Sequence, residues 1–219
     1  MSGIISKEYR LVNLKNIKKY TPGFNIHDIQ KKYNLKEVIK LASNENPFIS
    51  KDVLSFIKKS NHKLNLYPDS NPDELHKSLA NTVGHRMTSN NIILGNGSNE
   101  ILEFIVRANV DNKSEVIIPK YSFLVYEIIS KLQNAKIIIT KPDNDKASEN
   151  YLGINLESIK EKITNKTKLI FIANPANPTG TYIKLSEIDN FLQLVPKKTS
   201  VIIDEAYYEY LNLKVNKSA

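Results

Sequence analysis

The chain has 219 residues, of which 41% are hydrophobic and 25% are charged, the composition of an ordinary folded domain. It contains no run of about 18 apolar residues that could cross a membrane, no apolar segment typical of a signal peptide, and no cysteine for a disulfide or a thiolate metal site. The formal net charge is +8, but the lysines are scattered, which argues against a nucleic-acid-binding surface. We therefore expect a cytoplasmic protein with neither a nucleic-acid nor a membrane partner.

The predicted elements follow a polar N-terminal segment. Residues 1–45 are interpreted as an arm or part of another domain, and residues 46–219 as the main domain. Strands are predicted at Asn91–Leu94, Glu115–Ile118, Lys136–Thr140, Lys168–Ala173 and Ser200–Ile203, and helices at Pro72–Val83, Ser98–Asn109, Phe123–Lys131, Leu156–Ile163 and Ser186–Val195. This alternation predicts an α/β fold with three layers, α/β/α, around a mostly parallel sheet.

A glycine-rich turn joins the first predicted strand to a helix. Gly95 and Gly97 permit a tight turn, while Ser98 and Asn99 can cap the helix, whose first N–H groups form an anion site. A phosphate would fit there, although a plain strand-to-helix turn explains the same residues. Glu100 stands where the dinucleotide-binding fingerprint needs its third glycine, which argues against that function.

Polar groups also follow the last two predicted strands. Asn177 comes shortly after one strand, and the other delivers Asp204 and then Tyr207. Because parallel strands end at the same edge of a sheet, we expect these side chains to share a crevice. A buried carboxylate needs a partner, and the protonated ring nitrogen of a cofactor would be one. Turn chemistry at Asn177 and a helix cap or ion pair at Asp204 are the alternatives.

Five motifs occur in a fixed order along the chain: an N-terminal motif made of Tyr20–Gly23 and Leu41–Pro47, then Leu66–Pro68, Leu94–Glu100, Asn174–Gly180 and Asp204–Tyr207. Together they resemble the histidinol-phosphate aminotransferases, which are fold-type-I pyridoxal-phosphate enzymes. The resemblance implies that residues 46–219 form part of the large domain of that family. It also implies a homodimer and the cofactor pyridoxal 5'-phosphate.

The resemblance assigns catalytic roles to three residues. Asp204 would pair with the protonated ring nitrogen, which makes the cofactor an electron sink. Asn177 and Tyr207 would hydrogen-bond the phenolic oxygen of the ring.

Further binding roles also come from the resemblance. Residues 97–99 would hold the phosphate, and Tyr67 would reach the cofactor phosphate of the partner subunit. Either Phe123 or Tyr121 would stack on the ring, and we favour Phe123; ordinary packing is the alternative for all three aromatic residues. Substrate contacts are expected at two residues of the N-terminal motifs, Tyr20 and Asn46. The histidines show no ligand spacing, so no metal site is expected.

The implied reaction moves an amino group between histidinol phosphate and 2-oxoglutarate, with glutamate as the other amino compound, in histidine biosynthesis. A threonine-phosphate decarboxylase or an aromatic aminotransferase would share these motifs. The family's essential lysine lies in a downstream Ser-x-x-Lys motif that this sequence lacks, since Lys214 and Lys217 stand too near Asp204. We therefore expect an inactive fragment without the C-terminal part of the large domain and the small domain. A natural shortened protein that binds the cofactor or a partner is the alternative.

Overall fold

The computed structural model describes residues 17, 23–60, 65–84 and 86–211. The chain forms two compact units, one within Lys19–Ile93 and one that takes its residues from Met1–Lys18 and Leu94–Ala219. The predicted boundary between residues 45 and 46 concerns the domains of the family fold, and it stays a prediction.

The unit within Lys19–Ile93 contains three α-helices among its described residues: α1 (Ile26–Tyr33), α2 (Lys51–Ser60) and α3 (Asp73–Val83). The sequence predicted only α3. The first helix begins after Asn25, whose side-chain oxygen accepts a hydrogen bond from the N–H of His27 at 2.8 Å. Both α1 and α2 do carry apolar residues at helical spacing, such as Ile26 with Ile29 in α1 and Val53 with Ile57 in α2, so the sequence signal was present and the sequence analysis missed it. None of these apolar side chains is buried in the described chain.

The predicted strand Asn91–Leu94 is wrong. Ser89–Asn91 forms a short 3₁₀ helix, and the following residues are extended but pair with no strand of the described chain. The side chain of Asn91 accepts hydrogen bonds from the N–H and the hydroxyl of Thr88, at 3.0 and 2.8 Å. This local side-chain bonding favours a turn at the point where the strand was expected to begin.

The unit within Leu94–Ala219 contains a four-stranded parallel sheet with the strand order β2-β1-β3-β4. The strands are β1 (Glu115–Pro119), β2 (Lys136–Thr140), β3 (Thr167–Ala173) and β4 (Ser200–Asp204), so four of the five predicted strands are confirmed. The register pairs Ala173 with Asp204, which brings the carboxyl ends of β3 and β4 together.

Helices cover both faces of this sheet. They are α4 (Ser98–Asn109), α5 (Leu124–Leu132), α6 (Leu156–Lys160) and α7 (Leu185–Leu194), and a 3₁₀ helix spans Tyr208–Tyr210. Side chains alternate between the faces: Phe171 of β3 packs in a buried cluster with α4 and α5, and its neighbour Ile172 packs in a second cluster with α6 and α7. The α/β class with its parallel sheet is therefore confirmed. No helix in the described ranges is both long and apolar enough to cross a membrane.

Candidate functional site

A cavity of about 250 Å³ lies at the carboxyl edge of the sheet. It is lined by the starts of the helices α4 and α5 and by the segments at the ends of the strands β3 and β4. Its lining residues are Asn96, Gly97, Ser98, Asn99, Phe123, Tyr126, Ala173, Pro175, Asn177, Asp204, Ala206 and Tyr207. The structure thus brings together the predicted phosphate turn and the three predicted catalytic residues. Ligands of open parallel sheets commonly bind at this edge.

The start of α4 forms the wall of the cavity at which the sequence predicts an anion site. Gly97 is the N-cap residue, with φ 75° and ψ 173°, and no side chain of the described residues hydrogen-bonds this helix end as a cap. The predicted capping by Ser98 and Asn99 is wrong, because both residues already lie within the first turn of the helix. The uncapped first turn carries the positive end of the helix dipole, which favours an anion.

The loop that leads into α4 is held by an acid on the helix. The carboxylate of Glu100 accepts hydrogen bonds from the backbone N–H of Asn96 at 2.7 Å and from its side-chain amide at 3.1 Å. These contacts explain why an acidic residue stands where a dinucleotide-binding turn would have glycine. These two hydrogen bonds hold Asn96, and with it the loop before α4, against the first turn of the helix.

Asp204, the last residue of β4, presents a carboxylate that is hydrogen-bonded at both oxygens. Its Oδ2 accepts from the hydroxyl of Tyr126 at 2.6 Å, and its Oδ1 accepts from the N–H of Ala206 at 3.1 Å. Burial, followed by the charge of Asp204, raises the pKa of the Tyr126 phenol, so this phenol keeps its proton and remains a donor. The predicted alternatives for Asp204, an N-cap or an ion pair, do not describe these contacts.

The sequence analysis did not identify Tyr126 as a site residue. The available signal was a single tyrosine on an apolar helix face, three residues after Phe123. A buried tyrosine in an apolar helix requires a hydrogen-bond partner for its hydroxyl, and that requirement could have indicated the carboxylate.

Asn177 and Tyr207 both line the cavity, and the amide of Asn177 donates to the phenol oxygen of Tyr207 at 3.4 Å. The loop that carries Asn177 is anchored by the buried side chain of Asn174. Its amide donates to the carbonyl of Ile183 at 3.0 Å, and its oxygen accepts from the N–H of Ile183 at 2.8 Å. The peptide bonds Asn174–Pro175 and Asn177–Pro178 are both cis.

The remaining predicted residues divide into those at the cavity and those elsewhere. Phe123 lines the cavity, whereas Tyr121 is partly exposed and is not part of the lining. Asn46 and Tyr67 belong to the other compact unit, and the side chain of Tyr67 is fully exposed. Tyr20 lies outside the described residues. The binding roles expected of these five residues stay predictions.

Residues 36–214 match the family described as aminotransferase class I and II. The chain belongs to this aminotransferase family. It is 37% identical over 203 residues to histidinol-phosphate aminotransferase 2 of Carboxydothermus hydrogenoformans, covering 91% of this chain and 53% of that relative. It is 39% identical over 206 residues to histidinol-phosphate aminotransferase 1 of Idiomarina loihiensis, covering 92% and 53%.

Solved aminotransferase structures share the fold. The histidinol-phosphate aminotransferase of Sinorhizobium meliloti, crystallised in complex with pyridoxal-5'-phosphate, matches with a TM-score of 0.79 at 20% identity over 94% of this chain and 53% of that chain. The enzyme of Clostridium acetobutylicum matches with a TM-score of 0.63 at 30% identity over 77% and 47%. The chain thus spans about half the length of the relatives that it matches.

Proposed function

We propose that this aminotransferase chain binds pyridoxal 5'-phosphate in the cavity at the ends of β3 and β4. We further propose that the protein to which it belongs transfers an amino group between histidinol phosphate and 2-oxoglutarate. The name shared by the relatives at 37% and 39% identity supports the substrate. The single observation that supports the cofactor best is the Asp204 carboxylate, which faces the same cavity as the uncapped start of α4.

The residues present fit this cofactor at its phosphate, its ring nitrogen and its ring oxygen, whereas the described residues that line the cavity include no lysine for its aldehyde group. The first turn of α4 suits a phosphate, because its N–H groups and dipole favour an anion. The carboxylate of Asp204 suits a protonated ring nitrogen, and the amide of Asn177 and phenol of Tyr207 are donors for the ring oxygen. Phe123 supplies an aromatic ring at the cavity wall. One small cavity thus offers partners for a phosphate, a cationic nitrogen and a phenolate.

Each of these side chains has a distinct task in amino transfer. When bound, the cofactor withdraws electrons from the α-carbon of the amino compound, which is the chemistry that amino-acid side chains cannot supply. Asp204 would hold the proton on the ring nitrogen and so preserve that electron demand. Asn177 and Tyr207 would orient the ring by its oxygen, while the start of α4 would bind the phosphate and fix the distance of the ring from the helix.

Cofactor binding is tested on the chain itself with pyridoxamine 5'-phosphate, because this form of the cofactor requires no covalent link to a lysine. We expect Asp204→Ala to weaken binding by about 10- to 100-fold, the usual worth of a hydrogen bond to a charged group. The matched control is Asp189→Ala, since Asp189 is an exposed residue on α7 that is not part of the cavity lining. Equal affinity of the Asp204→Ala variant and the unmodified chain would contradict the proposed site.

Substrate choice is tested on the complete gene product, since the whole protein's activity is the property in question. Amino transfer from histidinol phosphate to 2-oxoglutarate should be faster than transfer from phenylalanine, and threonine phosphate should release no carbon dioxide. A preference for phenylalanine would favour an aromatic aminotransferase, and decarboxylation of threonine phosphate would favour the decarboxylase. We also propose that this product is a cytoplasmic homodimer.

A further inference from the structure

Tyr126 is a fully buried tyrosine whose hydroxyl reaches the edge of the cavity. Its ring stacks on Phe171 with centroids 4.5 Å apart and an angle of 1° between the planes. Phe123 packs edge-on against it, with centroids 5.9 Å apart. The ring lies in the hydrophobic cluster between the helices α4 and α5 and the sheet. Close packing on these sides fixes the position of the hydroxyl from within the core.

The hydroxyl of Tyr126 is directed at one acceptor. It donates to Oδ2 of Asp204 at 2.6 Å, while the backbone N–H of Ala206 donates to Oδ1 at 3.1 Å. An ionised carboxylate has about four lone-pair sites, so two donors leave acceptor capacity on both oxygens. The two donors come from different elements, a helix of the core and the backbone after β4. Together they restrict rotation of the carboxylate in the chain without ligand.

We propose that Tyr126 is a positioning residue, which holds the Asp204 carboxylate in one orientation for the ring nitrogen of the cofactor. The inference rests on the proposed function, because it requires that Asp204 faces that nitrogen. A carboxylate that is already oriented does not have to be ordered when the ligand binds. Ordering one mobile side chain on binding weakens affinity by roughly 2- to 10-fold. The loss of the Tyr126 hydroxyl should therefore have an effect of this size.

A double-mutant cycle on the full chain separates this role from general packing. Tyr126→Phe keeps the ring and its stack on Phe171 but removes the donor. We expect it to weaken pyridoxamine 5'-phosphate binding by about 2- to 10-fold in the native background. In the Asp204→Ala background it should change binding very little, because no carboxylate is left to position. The control is Tyr151→Phe, which removes the hydroxyl of a tyrosine outside the cavity lining and should change neither background.

The ring nitrogen of ¹⁵N-labelled pyridoxamine 5'-phosphate gives a second readout. Its chemical shift in the Tyr126→Phe variant should move from the protonated toward the unprotonated value, as calibrated with the free compound in acid and base. An equal loss of affinity in both backgrounds, or native affinity and shift in Tyr126→Phe, overturns the positioning role and leaves the cofactor site standing. Absence of binding by the unmodified chain overturns the proposed function itself, and the inference with it.

Discussion

The residue that precedes α4, the N-cap Gly97, allows the proposed anion-binding turn to be tested without a steric clash. Gly97 has φ 75° and ψ 173°, a backbone region that is essentially restricted to glycine. A Cβ added there would meet no atom within 4 Å, so Gly97→Ala introduces conformational strain and no clash. Such strain costs about 1–3 kcal/mol. For a chain of this size each kcal/mol lowers the midpoint of thermal unfolding by about 2–4 °C, which predicts a decrease of about 2–12 °C.

The strained residue can also relax toward negative φ, and this would redirect the N–H groups at the helix start. Loss of one hydrogen bond to a charged phosphate costs about 1.5–3 kcal/mol, which corresponds to about 10- to 100-fold in affinity. The assay compares pyridoxamine 5'-phosphate with pyridoxamine, which lacks the phosphate, by isothermal titration calorimetry. Gly97→Ala should weaken the first ligand by this factor and leave the second unchanged.

Gly84→Ala is the matched control for strain. Gly84 has φ 71° and open space around its Cβ position, but it ends α3 and does not line the cavity. The Gly84→Ala variant should be destabilised by about as much as Gly97→Ala, and it should bind both ligands with native affinity. If Gly97→Ala is destabilised as much as this control yet binds pyridoxamine 5'-phosphate with native affinity, the start of α4 does not hold the phosphate.

Two further predictions concern the proposed dimer and the buried acid Glu115. In the complete gene product, Tyr67→Phe should weaken cofactor retention by about 10- to 100-fold. Mixing Tyr67→Phe subunits with Asp204→Ala subunits should restore part of the activity, because each mixed dimer contains one intact site. If the activity of the mixture is only the average of the two variants, after subunit exchange has been confirmed, the shared site is refuted. The Thr164 hydroxyl, and then a lysine ammonium, hold the pKa of Glu115 below its usual value, so its contribution to stability is present above about pH 4.5 and is lost as the pH falls through the folded-state pKa. Urea unfolding should therefore show that Glu115→Gln is less stable than the native chain at about pH 7 and that the difference shrinks on acidification; a difference that does not depend on pH, or the same dependence in the exposed-site control Glu149→Gln, would contradict this.

The sheet was predictable because its strands are short apolar runs whose ends are marked by polar residues. The interior strands β1 and β3 are almost completely buried, as expected of parallel strands covered on both faces. Helices α1 and α2 were missed although their sequences place apolar residues at helical spacing, and in the described chain neither helix contains a buried residue. Capping and charge at the ends are the local signals for α1: Asn25 at its start and two lysines in its last turn. The strand predicted at residues 91–94 was wrong because Asn91 ends a 3₁₀ helix and bonds Thr88 locally, and no described strand pairs with the residues that follow.

The polar residues of the site were predictable from the rule that parallel strands end at one edge. Asn177, Asp204 and Tyr207 line one cavity as this rule requires. Tyr126 was not predictable, because its partner Asp204 lies 78 residues later and the contact depends on how α5 packs on the sheet. Hydrophobic periodicity assigns such a tyrosine to the core. It does not reveal that the hydroxyl end of the ring reaches a carboxylate in the cavity lining.

On this face of the sheet, the buried core and the cavity lining share residues of one packed cluster. The cluster that contains the Tyr126 ring also contains Phe171 of β3 and the residues Leu102 and Val106 of α4. The same packing therefore supports the helix whose first turn is the proposed anion site and the phenol that donates a hydrogen bond to Asp204. Because close-packed interiors transmit small displacements, a change of volume at Phe171 would alter both ends of the cavity together. The distance between the phosphate and the ring nitrogen is nearly fixed in the proposed ligand, so a site that binds both groups requires that its two ends be held at a matching distance.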